Sequence, residues 1–94
     1  MPSPSLYILY SPSLDRYYVG STIDVSRRLH EHTRYNKHFT SKARDWRLVF
    51  SSPCESLAKA REHEHWLKRQ KDRRLIQRIV QDQVMKKVGE GAPA

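Results

Sequence analysis

Cysteine is almost missing from this chain. Its single copy, Cys54, has no partner for an internal disulfide, which excludes a disulfide scaffold and fits a reducing compartment such as the cytoplasm. There is no C-x-x-C pair. The histidines form H-x-H pairs at His30/His32 and His63/His65, and residues two apart on a helix face different ways, so a structural zinc site is poorly supported. No apolar run approaches the roughly 18 residues that a membrane-crossing helix needs. The opening Met1-Pro2-Ser3-Pro4 lacks the basic-then-apolar order of a secretory signal. Acidic residues are scarce beside basic ones, with 10 Asp and Glu against 18 Lys and Arg, for a net charge of +8. The chain is also short. Its 94 residues allow one small domain, read as residues 5–88 between short tails at 1–4 and 89–94. A domain of this size buries about two thirds of the surface its unfolded chain exposes. A functional site must therefore lie on the rim of one core or in a shallow cleft.

Positive charge is what the chain has in excess, and it is evenly spread. Residues 1–50 hold eight basic and four acidic side chains, and residues 51–94 hold ten and six, so each half nets +4. A basic body, as opposed to a basic tail, points to a polyanionic partner, nucleic acid before others. An anionic membrane surface is the weaker option, because no helix pairs a basic face with exposed Trp and Phe.

Leu6-Tyr7-Ile8-Leu9-Tyr10 reads as a buried strand. A turn cluster at residues 11–15 leads to a second strand, Arg16-Tyr17-Tyr18-Val19, ended by Gly20. Asp24 offers an N-cap for a helix through about His32, with Val25 and Leu29 as its apolar stripe. Residues 33–45 have no period and read as a basic, aromatic-sprinkled loop of a length that is often functional. A third strand covers Trp46–Phe50. Ser56 caps a helix to about Gln70, and Asp72 caps a last helix with Leu75, Ile76, Ile79, Val80 and Val84 on one side. The order is β-β-α-β-α-α. The fold class is α/β of the α+β kind, a small three-stranded antiparallel sheet flanked by helices.

Several residues do not fit a bland domain. Glu64 shares the inward face of Leu57, Ala60 and Leu67, where a carboxylate is costly unless it is paired or binds a metal. The spacing allows a buried partner for an arginine as well as a metal ligand. Arg28 and His32, four apart, project together from the first helix, while Arg27 lies about 100° away. An arginine fork beside a histidine suits a phosphate site, and it also suits an ordinary solvated face. Tyr7, Tyr10, Tyr17 and Tyr18 crowd two strands, which brings several phenols toward one sheet face. Residues 68–74 hold five basic side chains in seven, as a phosphate-contacting face or a solvated helix junction.

Together these pieces resemble the GIY-YIG nuclease superfamily. Ser5-Leu6-Tyr7 looks like the first motif and Tyr18-Val19-Gly20 like the second, with Ser5 standing where the name-giving glycine would be. The run Gly20 to His32 is similar to the strand-to-helix signature and puts Arg28 at the family's arginine. Phe39-Thr40-Ser41-Lys42-Ala43 and Asp45-Trp46-x-Leu48-Val49 follow as in short single-domain members. Ala60-x-x-x-Glu64-x-x-Leu67-Lys68 resembles the helix with the metal-binding glutamate. Glu62 is a nearby rival, but only Glu64 has the three-residue spacing to Leu67. The likeness extends over residues 5–80. It is strongest to small stand-alone bacterial proteins that are similar to the N-terminal nuclease domain of an excision-repair protein.

The resemblance implies a metal-dependent endonuclease that hydrolyses phosphodiester bonds in DNA, in repair or processing, with one divalent ion, Mg²⁺ or Mn²⁺. It implies Glu64 as metal ligand and Arg28 on the phosphate oxygens. Tyr7 or Tyr18 would orient or deprotonate water, with His32 assisting. Arg27, Arg34, Lys37, Lys42, Lys68, Arg69 and Lys71 are the candidates for tracking the nucleic-acid backbone, which gives affinity without sequence choice. So small a surface implies structure preference, low specificity, or targeting by a protein partner. The competing expectation is a nucleic-acid-binding module without catalysis, resting on the +8 charge.

Overall fold

The apolar run Leu6–Tyr10 builds the middle of a sheet. Strand β1 (Ser5–Ser11) pairs antiparallel with β2 (Arg16–Thr22) on one side and with β3 (Arg47–Pro53) on the other, giving the order β2-β1-β3. The computed structural model describes residues 3–34, 43 and 45–85, with only the backbone of 32–34. Helix α1 (Val25–Arg34) follows β2, and α2 (Leu57–Gln70) and α3 (Arg73–Asp82) follow β3. The architecture is α+β with the expected order β-β-α-β-α-α.

A strand covered on both faces must be apolar at every position, not at alternate ones. Leu6, Ile8 and Leu9 are fully buried and Tyr7 is 1% exposed. On one face, Leu6, Ile8, Val19 and Phe50 pack with Leu67 of α2 and Ile79 of α3. On the other, Tyr7, Leu9, Ala43 and Trp46 pack with Val25 and Leu29 of α1. The sheet is thus sandwiched between α1 and the α2–α3 pair.

The expected caps are in place. Ser56 Oγ accepts from the Lys59 N–H at 3.1 Å, and Asp72 Oδ1 accepts from Arg74 at 3.0 Å and Leu75 at 3.3 Å. Asp24 Oδ1 accepts from the Arg27 N–H at 3.1 Å. These bonds satisfy donors that a helix start leaves open.

Four expectations need correction. Helix α1 runs to Arg34, past His32, and β3 extends through Pro53. Val84 is not on an inward helix face: α3 stops at Asp82, Gln83 turns left-handed with φ 56°, and Val84 is 57% exposed. The four tyrosines divide between the faces. Tyr7 and Tyr18 lie with α1, whereas Tyr17 packs on the α2–α3 side, stacked at 4.8 Å on its cross-strand partner Tyr10. Most of the basic loop, residues 35–42, lies outside the described residues.

Two polar ties lock the connections. Asp15, left-handed at φ 52°, accepts from the Tyr10 hydroxyl at 2.7 Å and from Arg73 at 2.6 Å, joining the β1–β2 turn to α3. Those two donors, Tyr10 foremost, hold its carboxyl below the usual range. Asp45 accepts from Ser11 Oγ at 2.6 Å and the Ser13 N–H at 2.8 Å, which seats the entry to β3. Among the described residues no helix is long and apolar enough to cross a membrane.

The packing orders two substitutions. Leu67→Ala is expected to cost about 2–5 kcal/mol because it opens a cavity in a fully closed core. Asp72→Ala removes only a cap and should cost about 1 kcal/mol. Urea denaturation of both variants checks the ranking, and equal losses would contradict it.

Candidate active site

Register places Tyr7 of β1 opposite Gly20 of β2. The phenol ring lies across the glycine. A Cβ on Gly20 would come within 2.9 Å of Tyr7 Cε1 and closer still to Cζ and the hydroxyl. Glycine is required here by close approach, not by backbone conformation. The Tyr18 ring sits 6.3 Å from that of Tyr7 and 6.4 Å from Trp46.

Helix α1 brings Arg28 to the same face. Val25 and Leu29 pack on the sheet, so Arg28 rides the margin of the buried stripe and is half-buried. Its guanidinium hydrogen-bonds the Tyr7 hydroxyl and donates to Glu31 Oε1 at 2.8 Å. Arg27, more exposed, reaches the other Glu31 oxygen at 3.4 Å. Burial pushes the Tyr7 phenol well above its ordinary value, against the smaller opposing pull of the Arg28 hydrogen bond. Tyr18 and Glu64 add lesser upward pushes. Arg28 in turn holds its proton more firmly, through Tyr7 first and Glu31 second.

Glu64 of α2 packs toward β2 and is 15% exposed at its side chain. Ser21 Oγ donates to Oε1 at 2.6 Å, and Lys68 Nζ donates to Oε2 at 2.6 Å. Its partners are therefore a serine and a lysine, not an arginine. The rival Glu62 is 52% exposed and pairs with Lys59 at 3.7 Å. The two carboxylates are thus told apart by burial. Lys68 also lies 5.6 Å over the Tyr18 ring, which links the glutamate to the tyrosine pair.

Beside Arg28 is an open recess of about 330 Å³, lined by Ser21, Thr22, Asp24, Arg27, Arg28, Glu31 and Arg61 among others. Its three guanidinium groups outnumber the Asp24 and Glu31 carboxylates, and that net positive lining suits a bound phosphate. A separate groove of about 640 Å³ runs beside β2, lined by the apolar Val19, Leu67 and Ile76 as well as by the cations Arg16, Lys68, Lys71 and Arg73. The structure thus ranges Tyr7, Tyr18, Arg27, Arg28, Glu64, Lys68 and Lys71 along β2, with Lys71 toward its Arg16 end and Arg27 and Arg28 toward its Thr22 end. Arg69 is exposed on α2. His32 and Arg34 lie in α1, their side chains outside the described residues, as are Lys37 and Lys42.

The family model described as the GIY-YIG catalytic domain matches residues 3–77. The chain belongs to the GIY-YIG family. No curated protein matches it significantly, and neither does any solved structure. Membership makes this a nuclease-type domain, whose substrate is nucleic acid. Sequence reading missed three GIY-YIG site neighbours: Gly20 as the seat of Tyr7, Ser21 as the anchor of Glu64, and Arg61 on the recess. Strand register signals the first, because Gly20 faces Tyr7 once the hairpin is paired. Nothing in the sequence signals Ser21, since its bond depends on how α2 lies against β2. The Lys68–Glu64 pair is readable from its four-residue spacing.

A Gly20→Ala change is expected to destabilise the protein by about 1–3 kcal/mol through overpacking. The cost should fall sharply in a Tyr7→Ala background, which a double-mutant cycle by urea denaturation measures; an undiminished cost would break the link. Tyr7 is also expected to keep its proton into the alkaline range. A raised folded value leaves its stabilising contribution whole below the free phenol value of about 10 and removes it as pH rises above that. Titration of phenolate absorbance should show Tyr7→Phe deleting a component that ionises only on alkaline unfolding.

Proposed function

We propose that this protein is a metal-dependent endonuclease that hydrolyses phosphodiester bonds in DNA, with Mg²⁺ or Mn²⁺ at Glu64. One observation carries the reading. A carboxylate drawn in against β2 is held by Ser21, the residue next to the glycine that the Tyr7 ring lies across. The carboxylate, the Arg28 guanidinium and the two phenols lie along β2 near a recess that Arg27, Arg28 and Arg61 help to line.

The donor chemistry fits a hard divalent ion. Mg²⁺ keeps most of its water and takes one or two carboxylates, and Glu64 supplies one oxygen-donor group with its other oxygen fixed by Ser21. Bound there, such an ion supplies positive charge to the phosphate and to the leaving oxygen. Arg28 presents its fork to the non-bridging oxygens, where charge grows in the transition state. Tyr7 holds Arg28 in place and, with its phenol held neutral, acts as a positioning residue and not as the base. Tyr18, less buried and beside Lys68, orients the attacking water. His32, whose ordinary value lies near neutral pH, takes part in the proton transfer. Arg27, Lys68, Arg69 and Lys71, with Arg34, Lys37 and Lys42, track the backbone. The role we infer is DNA processing in the cytoplasm, supported by the basic surface and the single cysteine.

Cleavage of plasmid and branched DNA with Mg²⁺, Mn²⁺ or EDTA tests this. Metal-dependent cutting is expected, reduced about a hundredfold or more in Glu64→Gln with DNA binding retained, and largely kept in Glu62→Gln. Equal cutting by Glu64→Gln rejects Glu64 as the ligand. Binding without cutting under every metal condition would favour the binding-module reading.

A further inference from the structure

The carboxylate assigned to the metal already has a cation on it. Lys68 Nζ sits 2.6 Å from Glu64 Oε2, while Ser21 holds Oε1. A hydroxyl is neutral and leaves its carboxylate oxygen able to accept again. An ammonium is different: a divalent ion at Oε2 and Lys68 Nζ would be two cations within a few ångströms, and they repel. We propose that Lys68 is a tethered competitor for the metal position, and that nucleic acid draws it away, so metal and nucleic acid bind cooperatively. This rests on the reading of Glu64 as metal ligand.

The surroundings decide where Lys68 can go. Its side chain is 50% exposed, so it is free to swing on its flexible four-carbon stem. The groove that Lys68 lines also holds Arg16, Lys71, Arg73 and the carboxylate of Asp72. With three other cations and one carboxylate along the groove, Glu64 is the better partner for Lys68 while no phosphate is bound. A backbone phosphate in the groove reverses the balance by giving Lys68 a partner other than Glu64. Phosphate binding then bares Oε2, and by linkage the metal strengthens phosphate binding by the same factor. A purely structural helix pair, of the four-residue spacing that helices favour, would instead alter stability and leave metal affinity untouched.

Mn²⁺ binding measured by electron paramagnetic resonance separates these cases, without relying on activity. The proteins are wild type, Lys68→Gln, Lys68→Arg, Arg69→Gln and Glu64→Gln, each alone and with saturating cleavage-resistant phosphorothioate hairpin DNA. Without DNA, Lys68→Gln is expected to bind Mn²⁺ about fivefold more tightly than wild type, the factor given by an ion pair at the strong end of the exposed range. Lys68→Arg keeps the charge and should match wild type. Arg69→Gln loses the same charge on the same helix away from Glu64, and should shift affinity less than about twofold by comparison with that fivefold change. Hairpin DNA is expected to tighten Mn²⁺ binding in wild type and to add much less in Lys68→Gln. If Lys68→Gln gains no more than Arg69→Gln, or if DNA tightens both proteins equally, the competitor role is overturned. If Glu64→Gln binds Mn²⁺ as wild type does, the metal reading of Glu64 has failed, and the competitor role of Lys68 falls with it.

Discussion

Everything in the site hangs on the contact between Tyr7 and Gly20. Strand β1 is buried on both faces, so Tyr7 has no solvent to turn to. It lies across the backbone of β2, and the hydroxyl emerges where Arg28 meets it. That single fit ties the register of the hairpin to the placement of α1. Shifting the pairing by one residue would turn Tyr7 to the α2–α3 face and leave Arg28 without its acceptor.

The charges of the site are largely pre-paired. Arg27 and Arg28 share Glu31, Lys68 holds Glu64, and Arg73 holds Asp15. Exposed pairs of this kind are individually weak. They keep side chains extended and pointed without holding them so firmly that a phosphate could not take their place. The candidate site is therefore organised by side-chain pairs whose members are individually exchangeable.

Much of this is legible in the residues. Asp24, Ser56 and Asp72 mark helix starts because their short polar side chains reach the open N–H groups, and each does so here. Glu64 stands out as a polar residue on an apolar face, and it is indeed drawn in against the sheet. The end of α3 is not legible, because left-handed caps are usually glycine or asparagine and this one is Gln83. The division of the tyrosines follows from a rule that grouping them by crowding overlooks. Side chains alternate between the faces along a strand, so Tyr7 and Tyr10 cannot share one. Ser21 needs the tertiary docking of α2 on β2, which no local pattern encodes.

The order β2-β1-β3 leaves β2 with one strand neighbour among the described residues. An open edge is a template on which a second chain can pair, and proteins commonly guard such edges with charge. Arg16, Lys68, Lys71 and Arg73 stand along the groove beside β2. Like charges there repel another copy of the chain. Neutralising them would therefore remove a guard on the open edge, whatever else these cations do.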